Sequence, residues 1–290
     1  MKKVVYDCDN TFGIKNCDVD DGLALLYLLG CGGVELLGIT STYGNSKTDI
    51  VYHNTIRMVK ELELGHIPIK KGGEKAGEVE HEAGHFLAEM ARKYEKELSI
   101  LATGSLTNLW AAWKIDPQFF DHVKEVVLMG GITEPLVFQK KVMDELNFSC
   151  DPEASYTVLT KAKNVATVTG NECLKILFRA EEYREKILKL NTRKAEFIYN
   201  SIIGWFGYNM DYYGIDGAYN WDVYSAVYLV HPELFEDQYC EMDLSKEDLE
   251  RGYLRIFRNG TNVVNLPKFG KPDEIRREIY RAWNKMILDY

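Results

Sequence analysis

Short apolar runs alternate with amphipathic segments through the first two thirds of the chain. The runs Lys3 to Cys8, Val34 to Ser41, Ser99 to Thr103, Glu125 to Met129 and Asn164 to Thr169 are rich in branched residues and too short for helices, so they predict buried strands. Helical periodicity occupies 21–30, 47–64, 82–97, 105–114 and 152–162. The last opens with Asp151-Pro152, a capping side chain followed by proline at the first helical position, where a missing N–H costs nothing. This alternation predicts an α/β fold: a mainly parallel, Rossmann-like open sheet with right-handed crossovers and flanking helices. Beyond residue 175 the pattern turns mainly helical, at 180–190, 192–205, 222–230 and 272–288, with weak strands at 235–242 and 252–257. No repeat and no linker composition interrupts it, so residues 1–290 read as a single domain. The tyrosine-rich stretch from Trp205 to Trp221 lacks a period and reads as a loop, either packed on the surface or offering its rings to a flat ligand.

Composition narrows the function classes. With 46% hydrophobic and 27% charged residues and only 7 prolines in 290 positions, the chain is neither disordered nor fibrous. A formal charge of −9 without a basic block argues against a nucleic-acid partner. The longest apolar stretch, Leu23 to Val34, is too short to span a membrane, and an acidic cluster follows Met1 too closely for a signal-peptide apolar region. A cytoplasmic location is expected. Six cysteines without a Cys-x-x-Cys pair suggest reduced thiols rather than a disulfide scaffold.

Open parallel sheets bind ligands beyond the carboxyl ends of their strands. The first predicted strand ends in Asp7-Cys8-Asp9-Asn10-Thr11, and Asp18-Val19-Asp20-Asp21-Gly22 follows at the mouth of a helix. Carboxylates crowded this closely need open water or a cation, and an all-oxygen set favours Ca²⁺ or Mg²⁺ over zinc. Asp-Cys-Asp-Asn-Thr also resembles the first motif of haloacid-dehalogenase-like phosphatases. That reading makes Asp7 a nucleophile and Asp9 an acid/base with Mg²⁺, but the strand at 164–169 ends in Gly170-Asn171-Glu172 without the paired acidic motif that chemistry also uses. His81-Glu82-Ala83-Gly84-His85 matches the zinc pattern His-Glu-x-x-His, with no distinctive third ligand following.

An ordered series of blocks resembles the inosine–uridine-preferring nucleoside hydrolases, the calcium-dependent N-ribohydrolases. The family opening Asp-x-Asp-Pro-Gly-x-Asp-Asp is matched at Asp7, Asp9, Asp20 and Asp21, followed by Gly38-Ile39-Thr40-Ser41-Thr42-Tyr43-Gly44-Asn45 and Asn54. Ala102-Thr103-Gly104-Ser105-Leu106-Thr107-Asn108 and Val126 to Gly131 come next. Glu145-Leu146-Asn147-Phe148-Ser149-Cys150-Asp151-Pro152, Trp221-Asp222 and His231-Pro232-Glu233-Leu234-Phe235 complete the series.

The resemblance implies hydrolysis of a ribonucleoside to ribose and free base. It makes Asp9 the general base and a Ca²⁺ ligand, Asp21 and Asp222 further ligands, and the Thr103 carbonyl the last protein ligand. It also implies that Asp20 and Asn147 bind the 2′ and 3′ side of ribose, that Glu145 binds the 5′-hydroxyl, and that Asn45 and His81 lie near the substrate. Asp7 would orient Asp9, and the assembly would be a homodimer or homotetramer. Such a site suits oxocarbenium-like chemistry, in which an activated water attacks one face while the base departs. A riboside-binding protein without turnover is the non-enzymatic alternative.

Two departures from the family pattern stand out. Ten residues, Asn10 to Val19, separate Asp9 from Asp20 where the family has three, so this loop is expected to bulge, partly exposed, over the metal side of the pocket while returning Asp20 and Asp21 to the metal, with either Asp18 or Asp20 in the role given to Asp20. Trp221 stands where many members carry a histidine able to protonate the departing base.

Overall fold

A computed structural model describes residues 1–289. Its first half runs β1 (Lys2–Cys8), α1 (Asp20–Gly30), β2 (Val34–Ser41), α2 (Thr48–Glu61), β3 (Ile69–Lys71), α3 (Glu82–Lys93), β4 (Leu98–Ala102), α4 (Thr107–Ile115), α5 (Phe119–His122) and β5 (Glu125–Met129). A small hairpin, β6 (Leu136–Val137) and β7 (Val142–Met143), precedes α6 (Pro152–Lys161), β8 (Val165–Val168), α7 (Gly170–Cys173) and α8 (Ala180–Lys186). The remainder is α9 (Arg193–Tyr212), α10 (Trp221–Val230), β9 (Phe235–Glu236), β10 (Tyr239–Met242), α11 (Lys246–Leu249), β11 (Asn262–Asn265), β12 (Lys268–Phe269) and α12 (Pro272–Asp289).

Eight strands form the central sheet in the order β10-β11-β8-β5-β4-β1-β2-β3, parallel except for the β10–β11 pair. Both faces of its strands are apolar. In β1, Val4, Tyr6 and Cys8 join the core with α1, α10 and α12, whereas Val5 joins the opposite core beneath α3, α4 and α6. Burial on both sides explains why the strands read as continuous apolar runs instead of alternating ones.

The sheet order also places the site. From β1 the chain builds outward through β2 and β3, then returns to the other side of β1 for β4, β5 and β8. The loops leaving β1 and β4 therefore diverge, which opens a crevice at their carboxyl ends.

The structure corrects two readings. Trp205 to Tyr212 is the C-terminal half of α9, not loop. Trp205, Tyr208 and Tyr212 recur at helical spacing and their rings stack in sequence, a short aromatic ladder that the intervening Gly207 and little charge disguise. The expected strand at 252–257 forms only isolated bridges through Tyr253 and Ile256, and the ladder strand is β11, which pairs β10 with β8.

Candidate active site

Asp7, at the end of β1, is a structural hub. Its Oδ1 accepts hydrogen bonds from Thr40 Oγ1 at 2.5 Å and Asn108 Nδ2 at 2.7 Å, while Asn108 Oδ1 accepts from Gly73 N at 3.0 Å. One carboxylate thus joins β1, β2, α4 and the loop after β3. Burial pushes its pKa up to about 7 against the pull of these bonds. With Oδ1 committed to bonds that tie these elements together, Asp7 suits a positioning group better than the free nucleophile a phosphatase needs.

Two residues on, Asp9 accepts from the Asn45 backbone N–H through Oδ2, and its buried Oδ1 has no partner. The loop can close on this carboxylate only because residue 44 is glycine: a Cβ there would overlap Asp9 Oδ2. Burial is the main reason its pKa is raised to about 6.

Asp20 and Asp21 occupy the first turn of α1, and Asp222 the first turn of α10. Two helix N-termini converge here, and their partial positive charge favours carboxylates. Asp222 N donates to Asp20 Oδ2 at 3.0 Å, and Asp21 Oδ1 accepts from Thr103 Oγ1 at 2.8 Å, leaving the buried Oδ2 unpartnered. Oxygens of Asp20, Asp21 and Asp222 lie within 4.8 Å of one another, the only such grouping of potential ligands among the described residues. Burial first, then mutual repulsion, raises Asp21 and Asp222 well above the usual carboxylate range. Unpartnered buried oxygens on Asp9 and Asp21 and a purely oxygen donor set fit a hard divalent cation.

Asp18, Asp20, Thr103 and Asp222 line a cavity of about 360 Å³ that also receives Asn45, Glu145, Asn147 and Trp221. Asn147 anchors its amide to Met129 O at 3.0 Å. Glu145 is differently employed from expectation. Its Oε1 accepts from Gly131 N and Phe148 N, and its Oε2 from Phe148 N and Ser149 N, so backbone donors occupy both oxygens and the carboxylate shapes the turn that presents Asn147.

The structure does not bring His81 to this cavity. Its Nδ1 caps α3 by accepting from Gly84 N at 3.1 Å, and the ring borders a separate shallow depression with Glu80 and His85. His85 pairs with Glu80 on the surface at 3.2 Å, and the zinc-like motif gathers no metal-ligand group. The 10–19 loop is more deeply built in than expected. Phe12 is fully buried against Gly22 and Phe197, and Asn54 and Arg57 both donate to its carbonyl, so removing Thr11 to Cys17 would cost core packing as well as altering the pocket.

The residue missed in the sequence is Lys141, on the β6–β7 turn, which lines the cavity with Trp205, Tyr212 and Tyr213 of the tyrosine-rich stretch. Nothing in the pattern around Lys141 distinguishes it from an exposed turn lysine.

The raised carboxylates carry a stability prediction. With Asp7 at about 7 and Asp9 at about 6 against an ordinary 3.8, the folded, cation-free protein binds more protons than the unfolded chain from about pH 4 upward. Their contribution is full below pH 4 and is lost as pH rises through 6 and 7. Protein treated with chelator should therefore melt lower at pH 8 than at pH 5.5, by about 2–4 °C for each kcal/mol lost. Added Ca²⁺ should restore more at pH 8. Equal melting temperatures with chelator at both pH values would contradict this.

A family model described as inosine-uridine preferring nucleoside hydrolase matches residues 4–276. A probable uridine nucleosidase from Arabidopsis thaliana is 23% identical over 287 residues, covering 89% of this chain and 86% of the relative. An inosine-uridine preferring nucleoside hydrolase from Crithidia fasciculata is 26% identical over 79% of this chain and 76% of its own. Among solved structures, a purine-preferring ribonucleoside hydrolase from Gardnerella vaginalis shares the fold with a TM-score of 0.83 at 24% identity, covering 99% of this chain and 100% of the other.

Proposed function

Since the chain belongs to the inosine-uridine preferring nucleoside hydrolase family and is an N-glycosidase, we propose that Asp9 is the general base that activates water for attack on a ribonucleoside, beside a Ca²⁺ held by Asp9, Asp21, Asp222 and the Thr103 carbonyl. The observation that carries this reading is the pair of unpartnered buried oxygens, Asp9 Oδ1 and Asp21 Oδ2, next to Asp20 and Asp222, which group with Asp21 and line the cavity. When bound, the cation would lower the pKa of a coordinated water and so ease the loss of its proton to Asp9.

The chain's own groups do the rest. Asp9 takes the proton of the attacking water through Oδ1, while the Asn45 N–H holds its other oxygen still. Asp20, oriented by Asp222 N, and Asn147, oriented by Met129 O, grip the vicinal ribose hydroxyls. Glu145 keeps Asn147 in place, and any hold on the 5′-hydroxyl would share its already engaged oxygens. The negative field of the carboxylates favours a ribosyl ring that becomes positive as the bond breaks.

The test is ribose release from purine and pyrimidine nucleosides after chelation, with Ca²⁺ or Mg²⁺ restored, run beside p-nitrophenyl phosphate. Cation-dependent ribose release is expected. Phosphate release without ribose would favour the phosphatase chemistry of Asp7 and Asp9, and tight riboside binding without turnover would favour a binding protein.

Trp221 borders the cavity with its ring against Tyr219 at 5.2 Å, a flat surface for a base and a side chain that cannot supply a proton. Trp221→His is therefore expected to raise kcat/KM for inosine relative to p-nitrophenyl riboside, whose leaving group needs no proton. The ratio for the two substrates checks it, and an unchanged ratio would remove position 221 from leaving-group activation.

A further inference from the structure

A purine or pyrimidine leaves a sugar readily only if a proton reaches the base as the bond breaks. No histidine lines the cavity, and the indole N–H of Trp205 or Trp221 is not an acid. Carboxylates aside, the lining groups with a transferable proton are Lys141, Tyr212 and Tyr213. Two of these are already joined: Lys141 Nζ donates to Tyr212 Oη at 2.8 Å and lies 4.1 Å from the centre of its ring.

This pair is held from both sides. The Tyr212 ring stacks on Tyr208 at 5.0 Å, and Tyr208 stacks on Trp205 at 5.3 Å, so the ladder on α9 sets the position of the phenol without using its hydroxyl. The β6–β7 turn that carries Lys141 is tied to the end of the same helix. Lys140 N donates to Tyr213 O at 3.0 Å, and Lys140 Nζ donates to Met210 O at 2.8 Å and Asp211 O at 3.0 Å, neutralising the negative end of α9.

We propose that Tyr212, backed by Lys141, delivers the proton to the departing base. This rests on the hydrolytic reading above and adds its acid. As the C1′–N bond breaks, its electron pair passes to the base, and the Tyr212 O–H proton moves to a ring nitrogen or carbonyl oxygen of that base. Lys141 hands a proton to the resulting phenolate and regains one from solvent, to which it is exposed. Asp9 takes the proton lost by the attacking water and releases it to solvent as ribose leaves, which offsets the one Lys141 regains, so the cycle balances. Tyr212 is the catalytic residue, and Lys141 acts through it.

The experiment compares wild type, Tyr212→Phe and Lys141→Met on inosine, uridine and p-nitrophenyl riboside in Ca²⁺, with melting temperatures as the folding control. Tyr212→Phe keeps the stacked ladder and removes only the hydroxyl. It should lower kcat on the nucleosides by about 10²-fold, the lower end of the range for general acids, while p-nitrophenyl riboside changes by no more than about threefold. The alkaline limb of the inosine kcat/KM profile should vanish in Tyr212→Phe. In Lys141→Met it should move to higher pH, because removing a cation disfavours the phenolate. Equal losses on all three substrates, or no loss on the nucleosides, would overturn the proposal. A wild type that binds Ca²⁺ yet cleaves none of the three would overturn the hydrolytic reading itself. Wild-type cleavage of p-nitrophenyl riboside with unaltered nucleoside ratios in both variants would overturn only the acid.

Discussion

Asp9→Asn is expected to lower kcat on every riboside by at least about 10²–10⁴-fold, the range for loss of a positioned general base. The amide has the carboxylate's shape, so the Asn45 N–H keeps an oxygen acceptor and the Gly44 backbone keeps its close approach. What disappears is the charge and the unpartnered Oδ1 that would receive the proton. Because that oxygen is also a proposed cation ligand, Ca²⁺ affinity should fall as well, and saturating Ca²⁺ should not restore turnover. The loss must extend to p-nitrophenyl riboside, since water activation is needed whatever the leaving group. This separates the Asp9 phenotype from that of Tyr212. Near-normal hydrolysis by a well-folded Asp9→Asn protein would remove Asp9 from the base role.

The parts of this arrangement differ in how visible they are in the sequence. Glu125–Met129 is a strand with the expected bounds because its centre, buried on both faces, is a continuous apolar run, and Val34–Ser41 also has the expected bounds, its branched residues outweighing the exposed Glu35 near its start. Asp20, Asp21 and Asp222 converge as anticipated even though some 200 residues separate the two blocks, since each follows a recognisable motif at a helix start. Asp18 and Asp20, alternatives in the sequence, both line the cavity.

Other features depend on contacts that no local pattern encodes. His81 sits beside a helix start and a second histidine, which mimics both a zinc motif and a substrate contact, yet its Nδ1 is consumed by the Gly84 N–H. Glu145 lies in a matching block, but the turn it enters supplies backbone donors to both of its oxygens. The role of Lys141 depends on Tyr212, 71 residues away, meeting it across the cavity. Residues 252–257 are apolar enough for a strand, but Gly252 has φ +69° and the segment runs past Ile132 and Met242 by single bridges instead of a ladder.

Asp222→Asn should give two opposite effects on stability. In the cation-free protein Asp222 is buried among Asp20, Asp21, Asp9 and Asp18, and its charge is disfavoured by burial and by theirs. Removing that charge while keeping the backbone N–H that holds Asp20 should raise the melting temperature in chelator. With Ca²⁺ the order reverses. A ligand present at 100 times its Kd stabilises the wild type by about 2.7 kcal/mol, and most of that increment should vanish when one of three carboxylate ligands is lost. Turnover should fall with it, by at least about 10²-fold at a Ca²⁺ concentration that saturates the wild type, in line with the worth of several kcal/mol assigned to metal assistance. The measurements are thermal melts in chelator and in Ca²⁺, with a calcium titration of each protein. An Asp222→Asn protein that melts higher in chelator yet binds Ca²⁺ as tightly as the wild type would show that Asp222 belongs to the repelling cluster without being a ligand. The cation would then rest on Asp9, Asp20 and Asp21 from the N-terminal block alone.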